Sequence, residues 1–326
     1  MTKGITEGIF EVEKKGFLQK AIEIFRFQYD NNELYRSYTN QLGIEPGKVR
    51  SLVDIPFLPI GFFKTRSLQT TPFEPEAVFE SSGTTQTTSS RHLVRDIGLY
   101  ERSFLTGFER FYGNAKGYCI IGLLPSYLQR SNSSLVFMVN SLIERSGDPR
   151  SGFYLDEYEQ LHELLKQLEI EKVKTLLIGV TFALLDFSER FQMNLKHTII
   201  METGGMKGRR KEITRQELHA QLQQRLSVAD IHAEYGMTEL LSQAYSGGQG
   251  VFECVPWLKV LVRNEDDPFD VAEAGDGIFN IIDLANVYSC SFIATDDVGR
   301  VFEDGRFEVV GRVDNSDMRG CSLLVV

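Results

Sequence analysis

Three clusters in this chain combine residue types that handle phosphate and sugar oxygens. Between Glu80 and Ser90, eight of eleven residues are serine or threonine, with a single glycine, Gly83. The hydroxyls and backbone N–H groups of such a loop, with Ser81, Ser82, Gly83, Thr84 and Thr85 at its start, suit phosphate oxygens, particularly ahead of a helix. It is not a Walker A loop, because Gly-x-x-x-x-Gly-Lys-Ser/Thr is absent; a surface linker of biased composition is the competing reading. The second cluster, Tyr235-Gly236-Met237-Thr238-Glu239, closes a strand-like run. There an aromatic ring can stack on a base, a hydroxyl can bond phosphate and a carboxylate can hold Mg²⁺, although five-residue turns of this kind are common. The third is Thr295-Asp296-Asp297-Val298-Gly299-Arg300, followed by Gly311-Arg312-Val313-Asp314. A carboxylate such as Asp297 can take both hydroxyls of a ribose, and an arginine can pair with a phosphate; a polar β-turn with a surface ion pair is the plainer alternative.

These clusters need elements to position them. Residues 5–40 place Phe17, Ala21, Ile24, Phe25 and Gln28 at helical spacing amid charges, which predicts amphipathic helices. Prolines 46, 56 and 59 then forbid a regular helix, while large apolar side chains crowd Ile55 to Phe63; this reads as an extended strap against a core. Helical patterning covers 97–112, 133–145, 155–169 and 211–226. Short apolar runs lie at 116–125, 173–180 and 196–205, and 229–239 reads as a strand passing into a loop. Apolar runs alternating with helices predict an α/β fold, with largely parallel sheets flanked by helices. Beyond Gly247 the texture turns to β, and Asp304-Gly305 between alternating residues marks a hairpin. The expected organisation is an α/β body over 1–246 and a β-rich subdomain over 247–326, packed as one domain and ending in a short tail.

Composition narrows the function classes. The chain has 326 residues, 42% of them hydrophobic, with 35 Lys+Arg against 45 Asp+Glu for a net charge of −10. That is a globular composition, and the acidic balance argues against a nucleic-acid partner. The first sixteen residues are charged throughout, so no secretory signal is expected there. The longest apolar stretch, Thr175 to Phe187, is short of the roughly 20 residues a membrane span needs. Four dispersed cysteines without a Cys-x-x-Cys pair predict reduced thiols and a cytoplasmic setting. Five scattered histidines make a metal hydrolase a poor fit.

Taken together and in this order, separated by about 150 and then about 60 residues, the three clusters resemble successive core motifs of the acyl-adenylate-forming superfamily, which includes acyl-CoA synthetases, firefly luciferase and peptide-synthetase adenylation domains. Gly204-Gly205 lies where that superfamily has its adenine-binding glycine loop. Within it, DIPFLPIGFFK, LLPSYLQR and the closing RGCSLL are similar to the LuxE-type acyl-protein synthetases. The expected fold is the superfamily's N-terminal body. The small C-terminal domain with its catalytic lysine has no counterpart in these residues.

The resemblance implies ATP-dependent activation of a fatty or other carboxylic acid as an acyl-adenylate. Transfer to a thiol near the enzyme's own C-terminus follows, and the matching residue is Cys321. An acyl reductase or acyl carrier is the partner implied. Ser82, Gly83, Thr84 and Thr85 would contact the β- and γ-phosphates, Gly204 and Gly205 would lie along the adenine, and Tyr235, beside Gly236, would stack near it. Thr238 would bond the α-phosphate, Glu239 would hold Mg²⁺, Asp297 would bind the ribose and Arg312 would sit close to ribose and phosphate. The sequence departs from the superfamily at Gln86, where a glycine is usual, and at Ser89-Ser90-Arg91, where Arg91 is the cation nearest the usual lysine. After Asp314 come Asn315, Ser316, Asp317 and Met318 instead of the usual acidic residue and lysine. Two other outcomes remain open on sequence: a ligase that passes the acyl group to coenzyme A or a carrier thiol, and a degenerate nucleotide- or acyl-binding protein.

Overall fold

A computed structural model describes residues 4–81, 89–125, 132–204 and 213–313. The chain opens with α1 (Phe17–Asn31) and α2 (Glu33–Gln41). The buried face of α1 is the predicted stripe of Phe17, Ala21, Ile24, Phe25 and Gln28. Gln28 can be buried because its amide donates to the carbonyls of Asn286 and Val287 and its oxygen accepts from the Ser291 N–H. Asn32 starts α2 by accepting from the Tyr35 N–H.

The proline-rich segment is a strap, as expected. It buries Ile55, Phe57, Leu58, Ile60 and Phe63 and includes the two-residue strand β1 (Leu58–Pro59). A single helical turn, α3 (Phe62–Thr65), ends it. Then follow the hairpin β2 (Ala77–Glu80) and β3 (Arg91–Val94), and α4 (Ile97–Tyr112). The alternating part runs β4 (Cys119–Leu123), α5 (Ser134–Ser146), β5 (Gly152–Tyr154), α6 (Tyr158–Ile170), β6 (Thr175–Gly179), α7 (Thr181–Arg190), β7 (Thr198–Glu202), α8 (Arg215–Leu226) and β8 (His232–Tyr235). A capping box of Thr214 and Glu217 sets the start of α8. The β part runs β9 (Ala244–Ser246), β10 (Val251–Cys254), β11 (Leu258–Arg263), β12 (Val271–Ala272), β13 (Gly275–Asp283), β14 (Phe292–Val301) and β15 (Phe307–Arg312).

Among the described residues, thirteen of these strands form one sheet, in the order β12-β11-β13-β14-β15-β10-β9-β8-β7-β6-β4-β5, with β1 pairing parallel to β14. From β5 to β8 the pairing is parallel. Helical crossovers make this possible, and they explain why every residue of β4 and β6 is buried. From β8 onward the connections are short and the strands turn antiparallel. The β-rich part is therefore continuous with the α/β part through β8 and β9. The predicted hairpin joins β14 to β15, with Gly305 at φ +88°, a conformation that favours glycine. No helix among the described residues is long and apolar enough to cross a membrane.

Gly299, on β14 beside a register shift, has no room for a side chain: a Cβ would lie 2.0 Å from the Glu308 carbonyl oxygen and 2.5 Å from Phe279 Cζ. Gly299→Ala must push β15 away from β14. We expect a loss of about 3 kcal/mol in urea denaturation, with β15 amides exchanging faster.

Candidate active site

The carboxyl end of β8 marks where parallel pairing gives way to antiparallel, and three of the predicted clusters' residues meet there. Tyr235, the last residue of β8, donates its hydroxyl to Asp297 Oδ2 at 2.7 Å. Its ring packs edge-on against Phe252 and Phe307, leaving it 8% exposed. Asp297 sits opposite Arg312 in the β14–β15 register, with Arg312 Nε 3.8 Å from its Oδ1 and Arg312 Nη2 3.7 Å from Asp296. The local backbone is braced by Thr295, whose hydroxyl donates to the Phe279 carbonyl and accepts from the Asp297 N–H. Arg263, reaching across from β11, donates to the Thr295 carbonyl at 2.6 Å.

Thr238 and Glu239 lie in the turn after β8. Glu239 is 6% exposed. Burial pushes its carboxyl up, while the Ser90 hydroxyl, its own backbone, Arg312 and Lys64 pull it part of the way back. Ser90 closes the β2–β3 hairpin: its N–H donates to Ser81 Oγ at 2.8 Å, and its carbonyl accepts from the Ser81 N–H. The stem of the hydroxyl loop is thereby tied to the Glu239 turn. Arg91 stands in register with Glu80 on that stem, 3.6 Å from its carboxylate, with both side chains largely in solvent.

Two residues with no motif to announce them hold the turn. His92 on β3 is 1% exposed, with Nδ1 2.8 Å from the Thr238 carbonyl and Nε2 3.0 Å from Asn286 Oδ1. Asn286 in turn donates to the Glu239 carbonyl at 2.7 Å. Burial pushes the His92 ring down to about 4, so it is neutral near pH 7 and its single proton can serve only one of these two oxygens at a time. Lys64, on α3, is a further cation acting on Glu239.

At the end of β7, Gly204 (φ +74°) gives its N–H to Glu202 Oε2 at 2.8 Å and its carbonyl to the Thr181 N–H. Glu202 is 1% exposed; burial pushes it up, but His219, Arg215 (3.0 Å) and the Gly204 N–H outweigh that and hold it below the usual carboxylate range. The glycine turn is thus clamped by a charged strand-end carboxylate. The Glu-x-Gly-Gly order gave a faint sequence signal for that clamp. Ser82, Gly83, Thr84, Thr85, Gly205 and Cys321 lie outside the described residues.

The acyl-protein synthetase family LuxE matches residues 9–326 of the chain. The chain belongs to that family. Among curated proteins it is similar to the long-chain-fatty-acid–luciferin-component ligase of Aliivibrio fischeri, 24% identical over 346 aligned positions that cover 97% of this chain and 89% of the relative. The ligase of the same name from Vibrio harveyi is 25% identical, covering 95% and 88%. Among solved structures, a 2-hydroxyisobutyryl-CoA ligase in complex with an acyl-AMP superposes with a TM-score of 0.64 at 11% identity, covering 92% of this chain and 68% of that one. ATP-bound MatB from Rhodopseudomonas palustris gives 0.53 at 17%, covering 76% of this chain; the aligned part spans about half of MatB. These likenesses establish the fold of adenylate-forming N-terminal domains, as the sequence led us to expect. Family and fold together support acid activation.

His92 supplies a test of how the turn is held. His92→Leu removes the one N–H donor available to the Thr238 carbonyl or the Asn286 amide oxygen, and we expect a loss of about 2 kcal/mol in urea denaturation. In the wild type the unfolded chain protonates this histidine near 6.5 whereas the folded chain resists until about 4. Its contribution is complete above pH 6.5 and is lost as pH falls toward 4, by about 3 kcal/mol at most. That component of the acid limb should vanish in the variant.

Proposed function

We propose that this member of the LuxE family activates a fatty acid as its acyl-adenylate and then transfers the acyl group to a thiol, with Cys321 as acceptor. The observation that carries the reading is the convergence of Tyr235, Asp297 and Arg312 with the Thr238–Glu239 turn at the edge of β8. A carboxylate braced by a tyrosine hydroxyl and flanked by an arginine suits a ribose beside a phosphate. The adjacent turn offers a hydroxyl and one buried carboxylate.

The roles are those that the resemblance to the adenylate-forming superfamily implies. Asp297, held by Tyr235, would take the ribose hydroxyls, and Arg312 would balance charge between ribose and α-phosphate. Thr238 would bond the α-phosphate, and the loop of Ser81 to Thr85 would receive the leaving pyrophosphate, with Gly204 and Gly205 beside the adenine and Arg91 at the loop's stem. Glu239 is the fitting carboxylate for Mg²⁺, an ion held by one or two carboxylates together with phosphate oxygens; it would supply charge neutralisation there. In the first step a substrate carboxylate oxygen bonds to the α-phosphorus and the bond to the bridging oxygen breaks, releasing pyrophosphate. In the second the thiolate bonds to the acyl carbon and AMP leaves with the electron pair. Positioning and charge stabilisation supply the acceleration. An acyl reductase or acyl carrier would then receive the acyl group.

The described thiols are poor acceptors. Cys119 and Cys290 are buried, and burial pushes Cys254 and Cys290 up to about 12. This supports an acceptor elsewhere, for which Cys321 is our assignment.

ATP–pyrophosphate exchange over carboxylic acids of increasing chain length tests the first step, and mass spectrometry of the C-terminal peptide tests the second. We expect exchange with fatty acids and a hydroxylamine-labile acyl group on Cys321. Cys321→Ser should keep exchange and lose that group; an unchanged labile acyl-enzyme, or acyl-CoA made without Cys321, would overturn the acceptor. Glu239→Gln should lower exchange about a hundredfold with the fold intact, and unchanged exchange would remove Glu239 from the metal role.

A further inference from the structure

Strand β8 presents two chemically different faces. Tyr235 points to the side of Phe252, Phe307 and Asp297, which carries the ribose end of the proposed site. His232 and Glu234 point to the opposite side, toward α4 and β9. There the Tyr112 hydroxyl of α4 lies 3.2 Å from His232 Nδ1, and Glu234 is the cross-strand neighbour of Tyr245. Glu234 does not stay in the plane of that packing. A Cβ on Gly236 would lie 2.4 Å from Glu234 Oε1, so the carboxyl is folded against the Gly236 Cα. Gly236 is exposed and stands two residues before Thr238. A residue with a side chain here would displace the carboxyl.

This carboxyl has no ion pair or hydrogen bond to another described residue. The hydroxyl of Tyr245, the cross-strand neighbour of Glu234, is buried, with the residue 3% exposed, and lacks a hydrogen-bond partner among the described residues. Unsatisfied buried hydroxyls are uncommon and call for a ligand or another explanation. The Glu234 carboxyl thus stands beside an open glycine, and the partnerless Tyr245 hydroxyl belongs to its cross-strand neighbour. An acid substrate has to reach the α-phosphate near Thr238 from the face that the nucleotide leaves free.

We propose that Glu234 is the charge gate of the acid-binding side: protonated, it lets the substrate carboxylate come up beside Gly236, and ionised, it repels it. The inference rests on the acyl-adenylate reading above. The surroundings favour the protonated form. Burial, and then the negative charge of Glu202 on β7, push the Glu234 carboxyl up to about 8. The other titratable groups facing it do not change charge between pH 7 and 9.5. Burial pushes Tyr100 and Tyr112 of α4 and Tyr245 of β9 well above the usual tyrosine range, and pushes His232 down.

The test is ATP–pyrophosphate exchange between pH 6 and 9.5, with a medium-chain fatty acid as probe, for the wild type and Glu234→Gln, which mimics the protonated acid. For the wild type we expect the KM for the acid to rise roughly thirtyfold between pH 7 and 9.5, as one group near 8 ionises, while kcat and the KM for ATP stay level. In Glu234→Gln the rise disappears. Persistence of the same rise in the variant overturns the gate, as does a wild-type KM flat across the range. Absence of exchange in the wild type at every pH would instead overturn the adenylation reading. A second readout needs no activity. A carboxyl whose pKa is raised on folding stabilises the fold fully below its unfolded value near 4.5 and loses that contribution as pH rises toward 8. The wild-type Tm should therefore fall relative to that of Glu234→Gln over this window, and parallel Tm curves would show that Glu234 is ionised throughout and cannot gate.

Discussion

The turn between β8 and β9 is held in place by one buried carboxylate, and the candidate site depends on it. Asp283 at the end of β13 is fully buried and accepts from the Leu241 N–H (2.8 Å), the Ser242 hydroxyl (2.6 Å) and the Ala285 N–H (3.1 Å). Burial pushes it up to about 6, with those hydrogen bonds pulling the other way. Ser242 also meets Ser103 of α4, which accepts from Trp257 Nε1. Three residues further on, Asn286 secures the Glu239 carbonyl and meets His92. A single stretch, Asp283 to Asn286, therefore fixes the turn that carries Thr238 and Glu239. Because buried polar groups without partners are costly, each link forces the next.

This arrangement explains why the candidate residues meet where they do. Parallel sheets leave polar strand ends at their carboxyl edge, and β8 is the last parallel strand. Its antiparallel neighbours bring β14 and β15 alongside, so Asp297 and Arg312 arrive from positions 62 and 77 residues beyond Tyr235. The strap adds a further tie, since β1 pairs with β14 and α3 brings Lys64 toward Glu239. The β2–β3 hairpin is pinned to the same turn through Ser90 and His92. The turn after β8, the β14–β15 pair and the stem of the β2–β3 hairpin are thus tied together, the kind of positioning that charge stabilisation requires.

Electrostatically, the site separates its carboxylates by environment. Glu202 is kept ionised by Arg215, His219 and a backbone N–H, whereas Glu234, which lacks a cation, is pushed toward its neutral form. Asp297 is shared between a tyrosine hydroxyl and an arginine. Acidic residues at similar positions along neighbouring strands thus acquire different protonation behaviour from their partners.

By itself the sequence determined the elements and the order of the motifs, because helical and strand periodicities, prolines and the Asp304-Gly305 turn act over a few residues. The buried stripe of α1, the strap over Ile55 to Phe63 and the strand ends carrying Tyr235 and Glu202 were all legible in this way. Family membership was legible too, through resemblance: three ordered clusters for the superfamily, and DIPFLPIGFFK, LLPSYLQR and RGCSLL for the LuxE branch. Only the tertiary structure decided that β8 hands over from parallel to antiparallel pairing within one continuous sheet, that Tyr235 braces Asp297, and that His92, Asn286 and Asp283 secure the turn after β8. These partners lie 41 to 194 residues apart in the chain. No local pattern marks a histidine, an asparagine or an aspartate as the partner of a distant carbonyl or N–H, because the need for it arises only when the packed sheet excludes water from that group.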